Sequence, residues 1–498
     1  MLPDWLHQRA SLTPERWALA ASGARWNFRE LNERATDAAV WLKTLGVQSG
    51  ERVAVLARNS AHYAVMVHAI SRAGAVLAPL NTRLTSAELS WQINHLSAKL
   101  LLTDKALLPT AQAVAQQTST QLERLDQDFT FDLSANSPVP AAPTQTGQAA
   151  SRVTRYTPPF NLSNTHSILF TSGTTGQPKG AQLTFGNHFF SAVGSALNLG
   201  LHAEDVWLAC LPLFHVGGLS ILLRGVMYGI PVVVHESFDA VTVNRAIADE
   251  RITIISVVSI MLQRMLEAGL GAQPTSLRCV LLGGGPAPRP LLEACAARGL
   301  PVVQTYGLTE AASQVATLAP EDALRKLGSA GKPLLPTELK IENPDASGVG
   351  EIVVRGPTVT PGYYANTEAT ANVLRDGWLH TGDMGYLDDE GYLYVLDRRD
   401  DLIISGGENV YPAEIEAVLL SHPAIAEAGV TGVEDTRWGQ VPVAYVVLRS
   451  GESVTETEAK DFCAARLAKY KIPSKIFFTE ALPRNTAGKL LRRKLKDL

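Results

Sequence analysis

Cysteine is scarce in this chain: Cys210, Cys279, Cys295 and Cys463 are the full complement of four. They are widely spaced, with no Cys-x-x-Cys pair and no histidine cluster beside them. That spacing excludes a disulfide framework and a zinc site and points to a reducing compartment. Cys210 and Cys279 sit in apolar, strand-like runs, where a small buried thiol is the ordinary occupant. Long hydrophobic runs are lacking too. Stretches such as Ile252 to Leu262 are too short and too rich in hydroxyls to span a bilayer. The opening MLPDWLHQRASLTPER has no basic start followed by an apolar stretch, so it does not read as a signal peptide. Ser11-Leu12-Thr13-Pro14-Glu15 reads instead as a helix start, with Pro14 in the first turn. Neither sign of charge dominates: 44 basic residues stand against 48 acidic ones, for a net charge of −4. Such a balance leaves no electrostatic footprint for nucleic acid or anionic lipid. The expectation is a cytoplasmic protein with no membrane span and no nucleic-acid partner. Its oligomeric state is left open, a homo-oligomer included.

What is present fits a large globular protein. At 498 residues, 46% hydrophobic and 18% charged, the chain can bury a sizeable core and form two or three domains. Strand and helix patterns alternate from Glu51 to Asn81 and again from Asp205 to Thr305. The strand-like runs there are Val206–Cys210, Pro231–His235, Ile252–Ser256, Arg278–Leu282 and Pro301–Gln304, with Pro290–Arg298 among the helical segments between them. Val/Ile/Leu-rich strands alternating with helices predict parallel sheets covered by helices. Residues 132–159 are dominated by Ser, Ala, Pro, Thr and Gln and read as a flexible surface connection. Beyond about Gly328 the pattern turns to hairpins, with Gly350–Arg355 and Gly391–Asp397 as strands. After the charged run Asp397–Asp401 a compact α+β unit begins, with helices over Ala413–Ser421 and Thr455–Lys469. The expected fold is therefore α/β: a large N-terminal domain over 1–397, built of helix-covered, mostly parallel sheets and a β-rich subdomain, and a small α+β C-terminal domain over 398–498.

The stretch TSGTTGQPKG, Thr171 to Gly180, follows the apolar run Ser167–Phe170. Its backbone N–H groups, hydroxyls and single lysine suit a polyphosphate. A P-loop reading fails twice, because Pro178 stands where the second glycine belongs and Gly180 where the magnesium-binding hydroxyl belongs. The stretch instead resembles the phosphate loop of the adenylate-forming superfamily, which includes acyl- and aryl-CoA synthetases, luciferases and peptide-synthetase adenylation domains. Four further segments match in the expected order: Thr305–Glu310 (TYGLTE), Thr381–Asp383 (TGD), Asp397–Asp401 (DRRDD) and Pro483–Lys489 (PRNTAGK). The resemblance covers nearly the whole chain. Thr184–Leu201, LPLFHVGGLS, LLGGGPAPRPLLEAC and GSAGKPL are similar more narrowly to the o-succinylbenzoate–CoA ligase branch of menaquinone and phylloquinone biosynthesis.

That resemblance implies a two-step reaction: a carboxylate attacks the α-phosphorus of ATP, and the thiol of coenzyme A then displaces AMP. It assigns Thr171, Ser172, Gly173, Thr174, Thr175, Gly176 and Lys179 to the β- and γ-phosphates and Thr309 to the α-phosphate. Glu310 matches the magnesium ligand, as a hard cation prefers a carboxylate oxygen. Gly284, Gly285 and Pro286 would lie on one face of adenine and Tyr306 on the other, with Gly307 beside it and Gln304 as an adenine partner. Asp383 and Arg398 match the ribose-binding pair. Lys489 would contact the carboxylate and α-phosphate during adenylation. The small domain would then rotate about Asp400, within a hinge at 398–401, so that Gly406 and Gly407 line the pantetheine tunnel. The implied co-substrates are a small carboxylic acid, ATP with Mg2+, and coenzyme A.

The acyl pocket rests on two residues besides Gly307. His215 reads either as a satisfied core histidine or, by resemblance, as a catalytic and acyl-pocket residue. Arg224, in an apolar helix-like run, reads either as snorkelling to the helix end or as the cation pairing the second carboxylate of o-succinylbenzoate. Other aryl- or medium-chain acyl-CoA ligases remain open, as does a stand-alone adenylation domain that loads a carrier protein.

Overall fold

The computed structural model describes residues 1–21, 23–126, 159–171, 178–271, 276–284, 287, 289–326, 328–344, 348–398, 403–410, 412–483 and 492–498. Two large sheets form the N-terminal domain. One has six strands in the order Gln121–Arg124, Leu100–Thr103, Arg52–Leu56, Val76–Pro79, Thr165–Thr171, Lys179–Thr184, parallel until the closing hairpin. The other has nine strands, with a parallel centre running from Val302–Leu308 through Cys279–Gly283, Ile254–Val258, Trp207–Ala209 and Val232–Val234 to Trp17–Ala21. Its two edges are antiparallel. Val53, Ala54, Val55 and Leu56 are all 0% exposed, so both faces of the six-stranded sheet are covered, as an unbroken apolar strand requires. One core cluster runs from Phe28 and Leu42 through Tyr63 and Ile70 to Trp207 and Leu223 and so joins the sheets.

The antiparallel subdomain comprises Glu338–Glu342, Gly350–Arg355, Leu374–Arg375, Trp378–Leu387 and Leu393–Arg398. The C-terminal sheet is built from Ile403–Ser405, Glu408–Val410, Ile425–Asp435, Gly439–Leu448 and Lys475–Phe478. Sheet membership thus changes between Arg398 and Ile403. All four cysteines are buried and free, and no helix among the described residues is long and apolar enough to cross a membrane. The segment expected to be a flexible connection, 132–159, lies outside the described residues except for Pro159.

Three local expectations are corrected. Ser11–Glu15 ends a helix rather than starting one. The helix is Trp5–Leu12, capped by Asp4, whose Oδ1 accepts from His7 N at 2.9 Å. Ser11 and Thr13 turn their hydroxyls back onto the carbonyls of His7 and Arg9, and Pro14 disfavours helix at the residue before it. Asp4 also pairs with the buried Arg72 at 2.8 Å. From this helix Arg9 donates to the carbonyls of Val226 (3.0 Å) and Met227 (2.7 Å), and Arg16 donates to that of Gly229 (3.1 Å). In the second correction, the helix expected over Thr455–Lys469 stops at Ala464, and buried Leu467 and Ala468 turn the chain into a 3₁₀ segment, Lys469–Lys471. The third concerns Arg492–Lys496, whose sequence reads as an amphipathic, solvated terminal helix. It is 3₁₀, Leu495 is buried, and Arg492 forks onto Glu416 at 2.8 and 2.6 Å.

Candidate active site

The C-terminal ends of both large sheets meet around Glu310. Strand Thr165–Thr171 runs into the glycine-rich loop, and the return strand opens at Lys179, which pairs with Thr171 across the hairpin. Glu310 sits on the 3₁₀ turn Thr309–Ala311, directly after strand Val302–Leu308. Its side chain is buried. Tyr363 Oη donates to Glu310 Oε1 at 2.9 Å and Thr171 Oγ1 donates to the same oxygen at 3.3 Å. Among the described residues both bonds fall on Oε1, which leaves Oε2 for a cation. Lys179 Nζ lies 5.4 Å from the centre of the Tyr363 ring, so lysine, carboxylate and both hydroxyls share one corner. Tyr363 was missed in the sequence reading: it lies in a Gly-Tyr-Tyr step between elements, with no periodic signal.

A second group lies along strands Cys279–Gly283 and Val302–Leu308. Gly284 ends the first strand with φ +81°, a conformation that L side chains rarely adopt; a Cβ there would also meet Val258 Cγ1 at 2.9 Å. Gln304 is buried, and its Nε2 donor has no partner among the described residues. Tyr306 Oη donates to Asp383 Oδ2 at 2.5 Å, and Asp383 is 1% exposed. Asp383 is in turn the cross-strand neighbour of Arg398. Gly307 has a purely structural need for its missing side chain, since a Cβ there would lie 1.6 Å from the Ser313 carbonyl oxygen.

The helix Val216–Tyr228 carries the acyl-pocket candidates at separate depths. Gly218 and Gly225 let it press against its neighbours: a Cβ would meet Pro212 O at 2.2 Å in one case and Val232 Cγ2 at 2.4 Å in the other. His215 is its N-terminal flanking residue and is exposed, not a core histidine. Nine residues on, about 13 Å along a helix axis, Arg224 is 2% exposed, which rules out snorkelling. Its Nη2 donates to Ser191 Oγ at 3.1 Å, and Ser191 Oγ donates to Ala312 O at 2.6 Å, next to the turn that bears Glu310. Among the described residues Arg224 Nε, a buried donor, has no partner and no carboxylate pairs with the guanidinium. Burial pushes its pKa down.

The C-terminal domain supplies the opposite wall. His215 Nε2 is 3.2 Å from Glu408 Oε2, and Arg83 reaches the other carboxylate oxygen at 2.9 Å. Burial works to raise the pKa of Glu408, but His215, Arg83 and Lys471 outweigh it and hold the carboxyl below its usual range. Gly406 and Gly407, both with positive φ, precede Glu408. A Cβ on Gly407 would lie 3.5 Å from Val258 Cγ2, the side chain that also backs Gly284. A Cβ on Gly406 would strike the Trp438 ring at 2.8 Å. The structure thus brings Thr171, Lys179, Thr309 and Glu310 to one corner, Gly284, Gln304, Tyr306 and Asp383 beside it, and His215, Gly406 and Gly407 across the domain junction. Ser172, Gly173, Thr174, Thr175, Gly176, Gly285, Pro286, Asp400 and Lys489 lie outside the described residues, as does the side chain of Arg398.

Comparison with known proteins gives full-length matches. Residues 6–364 match the AMP-binding enzyme family and residues 414–489 the AMP-binding enzyme C-terminal domain. A 2-succinylbenzoate–CoA ligase of Geobacillus kaustophilus is 52% identical over 506 residues, covering 100% of this chain and 98% of that one. A double mutant of Bacillus subtilis o-succinylbenzoate CoA synthetase, solved with its product analogue OSB-NCoA, is 46% identical. It covers 100% of this chain and 98% of its own, with a TM-score of 0.90. At the same identity and coverage, the Bacillus subtilis enzyme in complex with the acyl-adenylate intermediate OSB-AMP superposes with a TM-score of 0.74.

Proposed function

The chain belongs to the AMP-binding enzyme family, and on that premise we propose that it ligates 2-succinylbenzoate to coenzyme A through an acyl-adenylate. It is an acid–thiol ligase of quinone biosynthesis that consumes ATP and releases pyrophosphate and then AMP. The carrying observation is the full-length match, at about half identity, to proteins named 2-succinylbenzoate–CoA ligase. The chain's own cleft supports it by uniting a polyphosphate corner, a diol-binding carboxylate and a buried cation without an anion. Dependence on ATP and coenzyme A supports a cytoplasmic reaction.

In the first half-reaction the substrate carboxylate attacks the α-phosphorus and pyrophosphate leaves. Lys179, with the hydroxyl and N–H groups of the loop from Thr171 to Gly176, holds the β- and γ-phosphates, and Thr309 holds the α-phosphate. Positive charge and aligned donors are what the crowded transition state requires. Magnesium fits Glu310, a carboxylate already oriented by Tyr363 and Thr171 through one oxygen; held there, the ion would offset the negative charge of the phosphates. Asp383, fixed by Tyr306, accepts both ribose hydroxyls alongside Arg398. The free donor of Gln304 suits a ring nitrogen of adenine, which lies against Gly284–Pro286. Lys489 steadies the reacting carboxylate and α-phosphate. Arg224 pairs the second, unreactive carboxylate of the acid.

In the second half-reaction the thiol attacks the acyl carbon and AMP leaves. The C-terminal domain, 398–498, turns about Asp400 between the two states, and the orientation in this structure is the thioester-forming one. The better superposition on the product-analogue complex, 0.90 against 0.74, supports that reading. So does the placement of Gly406 and Gly407 at the cleft, where the absence of side chains leaves room for pantetheine. A screen of pyrophosphate release over carboxylic acids, with and without coenzyme A, tests the function. 2-Succinylbenzoate is expected to give the highest kcat/KM and a coenzyme A-dependent thioester. Preference for a monocarboxylic aryl or fatty acid would refute the substrate, and transfer to a carrier protein in place of coenzyme A would refute the class.

A further inference from the structure

Three residues between strand Val76–Pro79 and helix Ser86–Leu96, and a fourth in the first turn of that helix, reach from the N-terminal domain to the C-terminal domain. Asn81 Nδ2 donates to Tyr470 Oη at 3.1 Å, Arg83 pairs with Glu408 at 2.9 Å and Thr85 Oγ1 donates to Arg466 O at 3.4 Å. Glu88 Oε1 accepts from Lys471 Nζ at 3.0 Å. Only the last is a buried ion pair: the side chains of Lys471 and Glu88 are 4% and 11% exposed, whereas that of Arg83 is 49% exposed. An exposed pair of the latter kind is worth little. Lys471 Nζ also donates to Glu414 Oε1 at 2.7 Å, on helix Pro412–Leu420. The ammonium therefore lies between a carboxylate of its own domain and a carboxylate of the other.

The two carboxylates differ in what else fixes them. Glu88 Oε2 accepts from Thr85 N and Thr85 Oγ1, both at 2.9 Å, and closes the capping box of its helix. Its position is thus set within the N-terminal domain. Glu414 belongs to the same domain as Lys471 and travels with it. Any rotation of the C-terminal domain keeps the Lys471–Glu414 pair and separates Glu88 from both. An interaction present in one orientation and absent from the other shifts the balance between them by its own free energy. Burial opposes the charge on Lys471, but Glu414, Tyr470 and Glu88 outweigh it, so the clamp works on an ammonium ion.

We propose that Glu88 is a positioning residue for thioester formation: anchored by its helix cap, it completes a two-carboxylate clamp on Lys471 that holds Gly406–Glu408 against His215 and Val258. The proposal rests on the two-orientation reading above and adds to it the residue that selects the second orientation. Glu88 touches no substrate.

Glu88→Gln is the informative substitution. The amide can keep one oxygen on the Thr85 cap, which turns an N–H donor toward the ammonium. Adenylate formation, read as single-turnover pyrophosphate release without coenzyme A, should stay within about twofold of wild type. Conversion of a supplied acyl-adenylate to thioester should fall at least about tenfold, the factor that 1.4 kcal/mol represents. A second background, Lys471→Met with Glu414→Leu, removes the ammonium together with the carboxylate of its own domain and leaves Glu88 held only by its Thr85 cap; adding Glu88→Gln to it should cost nothing more. Equal losses in both half-reactions, an undiminished thioester step, or an additive loss in the second background would each overturn the proposal. Both half-reactions are scored with whichever acid the wild type adenylates. Rejection of 2-succinylbenzoate would then refute the function proposed above while leaving the clamp comparison readable.

Discussion

Replacing Arg224 with leucine separates pocket chemistry from scaffold more cleanly than any other change. The guanidinium is 2% exposed, and among the described residues it has one bond, to Ser191 Oγ, and no carboxylate partner. Two opposite charges about 4 Å apart attract by about 4 kcal/mol at an effective dielectric of 20. Removing one member of such a buried pair costs about 3–5 kcal/mol, because the other charge is stranded. At about 1.4 kcal/mol per tenfold, kcat/KM for 2-succinylbenzoate should fall by roughly 10²–10⁴-fold. An analogue without the second carboxylate should be a poor substrate of the wild type yet no worse for the variant. Arg224→Lys should lose less than Arg224→Leu, since charge stays while the two-pronged geometry goes. The unliganded variant should be as stable as wild type or more so, because a desolvated cation is gone and Ser191 keeps its bond to Ala312. kcat/KM for both acids with both enzymes forms a double-mutant cycle, and thermal unfolding supplies the stability. A coupling energy near zero, or a large drop in Tm, would refute the pairing and make Arg224 a structural residue.

Lys489→Ala should lower adenylation by about 10²–10³-fold, the scale for one preorganised transition-state donor, yet still turn a supplied acyl-adenylate into thioester; stopped-flow assays of each half measure the split. Tyr363→Phe deletes the 2.9 Å bond that orients Glu310. A magnesium titration of adenylation should therefore show half-saturation raised several-fold, with thioester formation from supplied adenylate unchanged. Burial holds the pKa values of His68 and His188 down to about 4 and about 3. Each is depressed in the folded state, so its contribution is complete above the unfolded value of about 6.5 and is lost as pH falls toward the folded one. Denaturant unfolding should show stability declining below about pH 6.5, by up to about 1.4 kcal/mol per pH unit for each proton taken up. A flat profile from pH 7 to 4.5 would contradict the burial of those rings.

The parallel strands were legible because a strand covered on both faces has to be apolar throughout, as Val53–Leu56 and Val232–Val234 are. Glu310, Asp383 and Lys179 were legible through short motifs whose order along the chain is itself information. Contacts that span the sequence were not. Tyr363 reaches Glu310 across 53 positions and His215 meets Glu408 across 193, and neither partner carries a local pattern. Lys471 lies two residues beyond the helix expected over Thr455–Lys469, and nothing in Lys-Tyr-Lys signals a buried ammonium. At the N-terminus the local signal misled. Ser-Leu-Thr-Pro has the composition of a helix start, but Asp4 had already captured the N–H of His7, and the hydroxyls fold back to close the helix instead.

The grip of Arg9 and Arg16 on the carbonyls of Val226, Met227 and Gly229 matters to protein engineering. These two residues brace the far end of the helix that presents Arg224. The leading helix and the turn after it therefore help to frame the helix that carries Arg224, the proposed partner of the acid, and make a poor handle for trimming or rigid fusion. Damage there would surface as blurred acid selectivity, while nucleotide handling, built on the opposite ends of the sheets, would carry on. A library meant to retune substrate choice could accordingly sample positions near Arg9, remote from any bound ligand, together with those that line the pocket.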